Sequence, residues 1–344
     1  MNMSKTKIVV SLSGGLTSAT LIETFGTAAD YIFVNTGFEH PKTYKFLRDL
    51  VKHYGINLIC LEPVTQEYGK SNTYKVVPVE TIGINPQIML DHVTKYGSFT
   101  VGVPNCSERM KTHTMEAYKK DHYAGIDHKH VIGFRVDEQK RMLGDKGYKL
   151  IRSLGYTQDD VCDLKVRWCN VLDAGGNAAL QKDIRDRFIV IDKETEKQIK
   201  SLVTKLRYLW RLKIHYMAEY SDFDKQDVGD FWAAMPFTLE LEEHQGNCVL
   251  CVKKDRKKVA LAARDNPELV DIWNGIIAKR RLMPAYDGDR QYRAAKRYVT
   301  LDDVIAEFAH IPTEELREWV YKTKSKDEDG CGESCDPFSS ELSQ

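Results

Sequence analysis

Two glycines and three hydroxyl residues stand together near the start of the chain, in the segment SGGLTS at residues 13–18. Glycines let the backbone approach a bound group closely, and the amides that open a following helix point toward an anion. The segment therefore suits a phosphate, pyrophosphate or sulfate group. An ordinary strand-to-helix turn capped by Thr17 or Ser18 would have the same composition, and the segment contains neither Gly-Lys-Ser/Thr nor G-x-G-x-x-G.

Charged residues form a second set in RVDEQKR, residues 135–141. Guanidinium groups form paired hydrogen bonds to phosphate oxygens, so Arg135 and Arg141 are candidates for holding an anionic group. Asp137 and Glu138 would hold those arginines or a hydrated Mg²⁺ ion. A solvated helix face has a similar composition, and the residues alone leave both interpretations open.

The chain contains eight cysteines, too few for the disulfide scaffold of a small secreted protein. Cys248 and Cys251 form a C-x-x-C sequence, whose spacing lets two thiolates reach one metal centre. The basic residues that follow at 253–258 would lower thiol pKa values. With Cys331 and Cys335 the pair could form a four-thiolate Zn²⁺ site, although the polar tail argues against it. Unligated thiols are a third interpretation, and Cys60 is predicted to be an inert core thiol.

The overall charge is balanced, with 50 basic and 50 acidic residues. This argues against a protein whose main role is to coat nucleic acid, but it leaves room for a local basic patch. One candidate is the basic and aromatic stretch KLRYLWRLK, for which a solvated amphipathic helix is the competing explanation. No apolar run approaches the length of a membrane span, and MNMSKTK lacks the apolar core of a signal peptide. The sequence therefore predicts a cytoplasmic protein.

Apolar strands and amphipathic helices alternate along the first part of the chain. The predicted strands are KIVVSL (7–12), YIFVNT (31–36), INLICLEP, HVIGFR (130–135) and IHYMAEY (214–220). This order predicts an α/β fold with a doubly wound, mostly parallel sheet, a helical insertion and a helical C-terminal region. We predict a discontinuous nucleotide-binding domain at 1–141 plus 213–240, an insertion at 142–212, a helical region with the C-x-x-C at 241–325, and a flexible tail at 326–344.

Several of these segments resemble, in order, the motifs of the phosphoadenosine phosphosulfate (PAPS) reductase-like family, in its phage and bacterial branch. SGGLTS is similar to the SGG-x-x-S loop of the PP-loop ATP pyrophosphatase (HUP-like) superfamily, with Thr17 where many members carry Asp. VNTGFEHPKTYKFL, NCSERMK and IGFRVDEQKR resemble three further family segments, and KQDVGDFW and GNCVLCVKK resemble its late elements. The blocks span roughly residues 7–275, whereas 142–212 match no family segment.

The resemblance implies an adenine-nucleotide site, with either ATP or PAPS as the nucleotide. It implies that the phosphate groups, the base and the ribose are held by Ser13, Gly14, Gly15, Thr17, Ser18, Asn35, Thr36, Gly37, Glu39 and Lys111. Glu39 would contact a ribose hydroxyl. Arg135, Asp137 and Arg141 would act on the anionic group.

The iron–sulfur members of the family imply a four-iron, four-sulfur (4Fe-4S) cluster. This chain departs from their pattern, because its middle block has one cysteine where those members have two. The implied ligands are Cys106, Cys248 and Cys251, with the fourth position open or supplied by Cys162 or Cys169. Cys331 resembles the family's nucleophilic tail cysteine, although Gly330 replaces the usual Glu.

Two classes of function follow. The first is an enzyme that either reduces a sulfonucleotide with a thiol, or adenylates an acceptor with ATP and transfers sulfur to it. A thiol reductant or a sulfur acceptor, for example a nucleic acid, would be its partner. The second is a non-catalytic nucleotide sensor or complex subunit, for which the missing loop Asp and the missing cluster cysteine argue.

Overall fold

The computed structural model describes residues 6–100, 106–246, 248–282, 292–294 and 297–322. Its strands are β1 (Lys7–Ser11), β2 (Asp30–Val34), β3 (Asn57–Val64), β4 (Thr73–Val77), β5 (His128–Ile132), β6 (Ile214–Tyr216), β7 (Tyr292–Ala294) and β8 (Arg297–Val299). Its α-helices are α1 (Leu16–Phe25), α2 (Pro41–Tyr54), α3 (Pro86–Tyr96), α4 (His113–His122), α5 (Gln139–Ser153), α6 (Val161–Arg185), α7 (Lys193–Arg211), α8 (Lys225–Ala233), α9 (Arg256–Asp265), α10 (Pro267–Arg281), α11 (Leu301–Phe308) and α12 (Thr313–Lys322).

Six strands form one sheet in the order β4-β3-β2-β1-β5-β6. All neighbouring pairs are parallel except β3 and β4, which are antiparallel. The predicted doubly wound, mostly parallel α/β fold is therefore confirmed. The antiparallel edge strand β4 was not predicted. The predicted strand at 214–220 is shorter than expected, because β6 ends at Tyr216 and Met217–Glu219 form a 3₁₀ turn.

Both faces of the sheet are buried. Val10, Tyr31 and Phe33 point to one face, where α1, α2 and α8 cover them. Val9 and Ile32 point to the other face, which α4 and the helices of residues 142–212 cover. Burial on both faces explains why the central strands are almost continuously apolar.

The three helices α5–α7 pack directly on the sheet and form one core with it. Lys165 on α6 is buried, and its ammonium donates to the Ile214 carbonyl at 2.7 Å and to Glu219 Oε1 at 2.6 Å. A buried cation paired in this way ties the inserted helices to the edge strand β6.

A third core is formed by α3 and α9–α12 around the C-x-x-C segment. The antiparallel hairpin of β7 and β8 adds to this otherwise helical region. In the part of the chain that the structure describes, no helix combines the length and apolar character needed to cross a membrane. The predicted flexible tail at 326–344, with Cys331 and Cys335, lies outside the described residues.

Candidate functional site

The centre of the sheet contains the point at which the strand order reverses. The chain passes from β1 to β2 and β3 on one side, and it adds β5 and β6 on the other side of β1. In open α/β sheets, ligands bind beyond the carboxyl ends of the strands at this reversal. The loops that follow β1 and β5 border it, and they are the segments SGGLTS and GFRVDE.

The loop after β1 is held by its own hydroxyl groups. Ser18 Oγ accepts from the Ser13 amide at 3.0 Å and donates to the Gly15 carbonyl at 3.1 Å. Helix α1 begins at Leu16 with Gly15 as its N-cap, so no side chain caps it. The alternative, a helix capped by the side chain of Thr17 or Ser18, is therefore wrong. The first amides of α1 keep the polarity that favours an anion.

Gly14 allows helix α2 to approach this loop closely. Its φ is +83°, and a side-chain carbon at this position would lie 2.4 Å from Thr43 Cγ2. A residue with a side chain would thus meet both backbone strain and a steric clash. The first glycine of the SGG sequence is required by the packing of the loop.

Arg135 joins the two loops that border the reversal point. Its Nη1 donates to Thr17 Oγ1 at 2.9 Å, and its Nε and Nη2 donate to the two carboxylate oxygens of Asp137 at 2.9 and 3.2 Å. The approach is close, because a side-chain carbon at Gly133 would lie 2.9 Å from Ser18 Cα. Arg135 is buried, so its charge acts at the start of α1 with little screening by water.

Arg141 and Glu138 extend the same cluster. Glu138 Oε2 accepts from the Arg135 amide at 3.2 Å, and Glu138 Oε1 is bonded to Arg141 Nη1. The Arg141 guanidinium lies 4.2 Å from the centre of the Phe134 ring. The two carboxylates of this loop are thus engaged by its arginines, which was one of the two roles predicted for them.

Asn35 organises the loop after β2. Its amide donates to Glu62 Oε1 and to the Gly83 carbonyl, each at 3.1 Å. Its carbonyl oxygen accepts from the Gly37 amide at 2.9 Å and from the Tyr44 hydroxyl at 3.0 Å. The side chain therefore fixes the turn between β2 and α2, and in this structure its contacts lie within the protein.

Glu39 is almost completely buried, at 2% exposure. Its carboxylate accepts from the Thr36 hydroxyl at 2.6 Å, the Thr36 amide at 3.2 Å, the Phe38 amide at 3.3 Å and the Tyr44 hydroxyl at 3.2 Å. Lys111 Nζ lies 4.0 Å from Oε1. Glu39 thus uses its oxygens to hold the loop, and the ribose contact expected for it remains a prediction that this arrangement does not favour.

The C-x-x-C segment lies directly on the loop after β2. Cys248 forms an antiparallel β-bridge with Glu39, and the Val249 amide donates to the Phe38 carbonyl at 3.4 Å. Thr36 Oγ1 and Cys248 Sγ are 3.4 Å apart. Two motifs far apart in the sequence are therefore in direct contact.

Cys251 is buried and faces the hairpin. The Tyr292 hydroxyl donates to the Leu250 carbonyl at 2.8 Å, and Lys254 Nζ donates to the Val249 carbonyl at 2.9 Å. Burial and the neighbouring Cys251 raise the pKa of Tyr292. These contacts fix the C-x-x-C turn from two sides.

Cys106 packs against the same core as the C-x-x-C turn. Lys111 follows it in a π-helical turn, Ser107–Thr112, a widened geometry that is frequent at functional sites. Cys162 and Cys169 lie on α6, where Lys165 and Glu219 are their charged neighbours. Helix α6 packs in the core with the sheet, so the structure does not bring these two cysteines to the other three.

Burial raises the pKa of Cys60 to about 12, with a further contribution from Glu80. A thiol of this kind stays protonated at neutral pH and does not act as a nucleophile. The expectation of an inert core thiol in β3 is therefore in line with its surroundings.

Sequence reasoning missed several residues of the site, of which Tyr44 and Lys254 are the clearest. Tyr44 precedes Leu47 by three residues on α2, the spacing of one buried helix face, so the apolar pattern could have indicated it. In the sequence, Lys254 is one member of a basic run, and nothing distinguishes it from its neighbours. Its two carbonyl contacts, to His244 and Val249, depend on how the turn folds.

A second polar cluster lies behind the C-x-x-C turn. In the described part of the chain, Glu242, His244 and Asp265 form the group whose ligand atoms all lie within 4.8 Å of one another. Arg317 is bonded to both carboxylates of this group. Because a cation already lies between them, we interpret the cluster as an anchor for α12.

A cavity of about 400 Å³ lies farther along α1, between Thr20, Glu23 and Thr24 and the segment 220–223. Its lining contains acidic and hydroxyl residues but no lysine or arginine. It does not suit a phosphate group, and we do not place the anion there.

Residues 7–143 match the model of the phosphoadenosine phosphosulfate reductase domain. The chain is also similar to the uncharacterized nin region protein ORF290 of Escherichia phage lambda, with 28% identity over 97% of this chain and 96% of that protein. No solved structure matches the chain.

Proposed function

We propose that the chain is an enzyme of the PAPS reductase-like family, in its phage branch, and that it binds an adenine nucleotide at the reversal point of its sheet; the match of residues 7–143 to the reductase domain and the similarity to the phage lambda protein support this. The observation that carries the proposal is the bond from Arg135 Nη1 to Thr17 Oγ1 at 2.9 Å. It places a buried guanidinium at the start of α1, where an anionic group would meet both the helix amides and a fixed positive charge.

The phosphate or sulfate groups would be bound by the amides of residues 13–18 and by their hydroxyls. Arg135 would offset the negative charge, while Asp137 holds its guanidinium in place through two hydrogen bonds. Arg141, at the rim of the same cluster, would contact a more distant phosphate. Lys111 is the third cation of the site, and Glu39 orients it from 4.0 Å.

A Mg²⁺ ion is not part of the proposal. Thr17 stands where many relatives have a carboxylate, and Asp137 and Glu138 are bonded to arginines. A hydrated Mg²⁺ ion is usually held by one or two carboxylates together with the phosphates. The structure supports charge compensation by side chains.

Cys106, Cys248 and Cys251 would hold an iron–sulfur cluster. The donor set fits in part: Cys106 packs against the core that contains Val249 and Leu250 of the C-x-x-C turn, and Thr36 provides a hydroxyl 3.4 Å from Cys248 Sγ. Such a cluster would supply electrons or sulfur next to the nucleotide. The loop after β2 would position the cluster, because the β-bridge between Glu39 and Cys248 fixes the backbone of one of its ligands.

Two reactions suit this arrangement. In the first, a dithiol is oxidised to a disulfide while PAPS gives sulfite and adenosine bisphosphate. In the second, ATP adenylates an acceptor and releases pyrophosphate, and a sulfur nucleophile then displaces AMP from the acceptor. A non-catalytic nucleotide sensor is the alternative, and Thr17, in place of the loop carboxylate, is the observation that favours it.

Product analysis separates these three functions. Protein purified without oxygen would be incubated with ATP or PAPS and a dithiol, and pyrophosphate, sulfite and adenosine bisphosphate would be measured. Sulfite with adenosine bisphosphate supports reduction, and pyrophosphate that depends on an added acceptor supports adenylation. Nucleotide binding without any product would support the sensor.

A further inference from the structure

The outer face of α7 carries a row of basic side chains. Lys193, Lys197, Lys200, Arg207 and Arg211 are all exposed. They follow one another at intervals of three, four or seven residues, so they lie on one face of the helix. At the rise of an α-helix the row is roughly 27 Å long. We call these five residues the α7 basic row.

The surrounding sequence concentrates positive charge in a chain that is neutral overall. Residues 139–153, which form α5, and residues 193–213, which include α7, together contain twelve basic and three acidic residues. The two helices pack against each other in one core. Basic residues thus outnumber acidic ones on these two helices, which favours a polyanion as the ligand of their exposed face.

Internal ion pairs do not account for the row. Lys200 lies 3.5 Å from Glu196, which also binds Arg185. Within the described ranges, the structure shows no ion pair for Lys193, Lys197, Arg207 or Arg211. Most of the row therefore faces water without a carboxylate partner.

The Arg211 end of the row lies at the amino-terminal edge of the sheet. Arg211 ends α7 shortly before β6, and between them the Lys213 carbonyl accepts from the His130 amide at 2.9 Å while Lys213 Nζ lies 3.3 Å from Asp127, just before β5. The candidate site lies at the carboxyl ends of the strands, so this end of the row is away from it.

We propose that the α7 basic row binds the sugar-phosphate backbone of a nucleic acid. A straight series of exposed cations, of which Lys200 alone has a carboxylate partner in the described ranges, matches a linear polymer with regularly spaced charges better than it matches the scattered carboxylates of a protein surface. Trp210, which is 43% exposed, lies to the side of the row, and its indole N–H donates to Asp173 Oδ1 at 2.7 Å, so we rest the proposal on the charges alone. The apolar face of α7 is buried in the core, so it is not available to a membrane.

Binding of a nucleic acid by the α7 basic row does not depend on the proposed reaction, because the row would bind phosphates whether or not the nucleotide site is catalytically active. The test uses the full chain and a labelled 20-nucleotide single-stranded DNA, with fluorescence anisotropy at several salt concentrations. The double variant Arg207→Gln/Arg211→Gln removes two charges and keeps good helix formers. We expect it to bind at least about tenfold more weakly at 0.1 M salt, and its salt slope to fall by about 1.4.

Lys52→Gln/Lys279→Gln is the matched control. It removes two exposed charges from α2 and α10, and its affinity for the DNA should stay within about twofold of the wild type. Equal weakening in both double variants, or no binding by the wild type, would overturn the proposal. Displacement of the DNA by poly-glutamate at equal charge would also overturn it, in favour of an acidic protein. ATP affinity, measured in parallel, should be the same in the α7 variant and the wild type.

Discussion

Arg135 donates a hydrogen bond of 2.9 Å to the hydroxyl of Thr17, a residue 118 positions away in the sequence. The bond joins the ends of the neighbouring strands β1 and β5. Many proteins with the SGG-x-x-S loop that this segment resembles carry Asp at the position of Thr17. Asp would add a third carboxylate to those of Asp137 and Glu138, which lie 2.9 and 3.6 Å from the Arg135 guanidinium, whereas Thr17 adds no charge next to a bound anion.

The substitution Thr17→Asp tests this argument. The new carboxylate would pair with Arg135, so the affinity for ATP or PAPS should fall about tenfold in the absence of metal, as measured by titration calorimetry. Thr17→Val, which removes the hydroxyl without adding charge, should have a smaller effect. An affinity of Thr17→Asp above that of the wild type once Mg²⁺ is added would indicate a metal-bridged phosphate and would contradict our account.

Gly14→Ala should prevent the loop after β1 from reaching its shape. The substitution combines a φ of +83° with a carbon 2.4 Å from Thr43 Cγ2. Gly55→Ala is the matched control, since its backbone is left-handed helical with φ +62° and no atom lies within 4 Å. We expect a loss of about 1 kcal/mol for Gly55→Ala, and a larger loss of stability and of nucleotide affinity for Gly14→Ala. Equal losses in urea unfolding would show that the contact with Thr43 is unimportant.

Protein purified without oxygen should contain iron and sulfide and show a broad visible absorption band. Cys248→Ala should lose the band and the iron, because it removes one of the three thiol ligands. Cys60→Ala is the control, since burial raises the pKa of that thiol to about 12 and the residue lies in the sheet. A colourless wild type without iron would rule out the cluster. One zinc ion per chain in that protein would indicate a structural zinc site at the C-x-x-C.

Acid should weaken the fold from about pH 6.5 downward. Burial lowers the pKa of several histidines below the ordinary value of 6.5, and these are His40, His113, His128, His130 and His244. As the pH falls below 6.5, the unfolded chain takes up protons that the folded chain does not. The free energy of unfolding therefore has its full value above pH 6.5 and decreases at lower pH.

Urea unfolding between pH 8 and pH 5.5 measures this dependence. His130 is fully buried, with Nε2 2.8 Å from Ser11 Oγ and Nδ1 3.2 Å from Lys119 Nζ. His130→Gln should therefore flatten the pH dependence, even if it lowers stability at pH 8. An unchanged slope in this variant would assign the pH dependence to other groups.

The sequence predicts the sheet well because its strands are short apolar runs, and glycines such as Gly55 end the helices between them. The order of the strands then places SGGLTS and GFRVDE at one edge. The edge strand β4 could not be predicted, because its segment TYKVV has no regular alternation of exposed and buried positions.

The contact between the C-x-x-C turn and the loop after β2 could not be predicted from spacing. Glu39 and Cys248 are joined by a β-bridge over a long stretch of sequence, and local patterns contain no information on such a contact. The burial of Glu39 follows from the same packing. For this reason the Glu39 carboxylate holds the loop, and its contact with the ribose stays a prediction.

The most direct test of the central claim is the affinity of the Arg135→Lys variant for ATP and PAPS, compared with the wild type and with Lys52→Gln. Lysine keeps the charge but cannot bond Thr17 and both oxygens of Asp137 at once. We predict that the nucleotide affinity of Arg135→Lys falls at least about tenfold, which is about 1.4 kcal/mol, while its unfolding curve shows a folded protein. Wild-type affinity in Arg135→Lys would contradict a nucleotide site at the junction of β1 and β5.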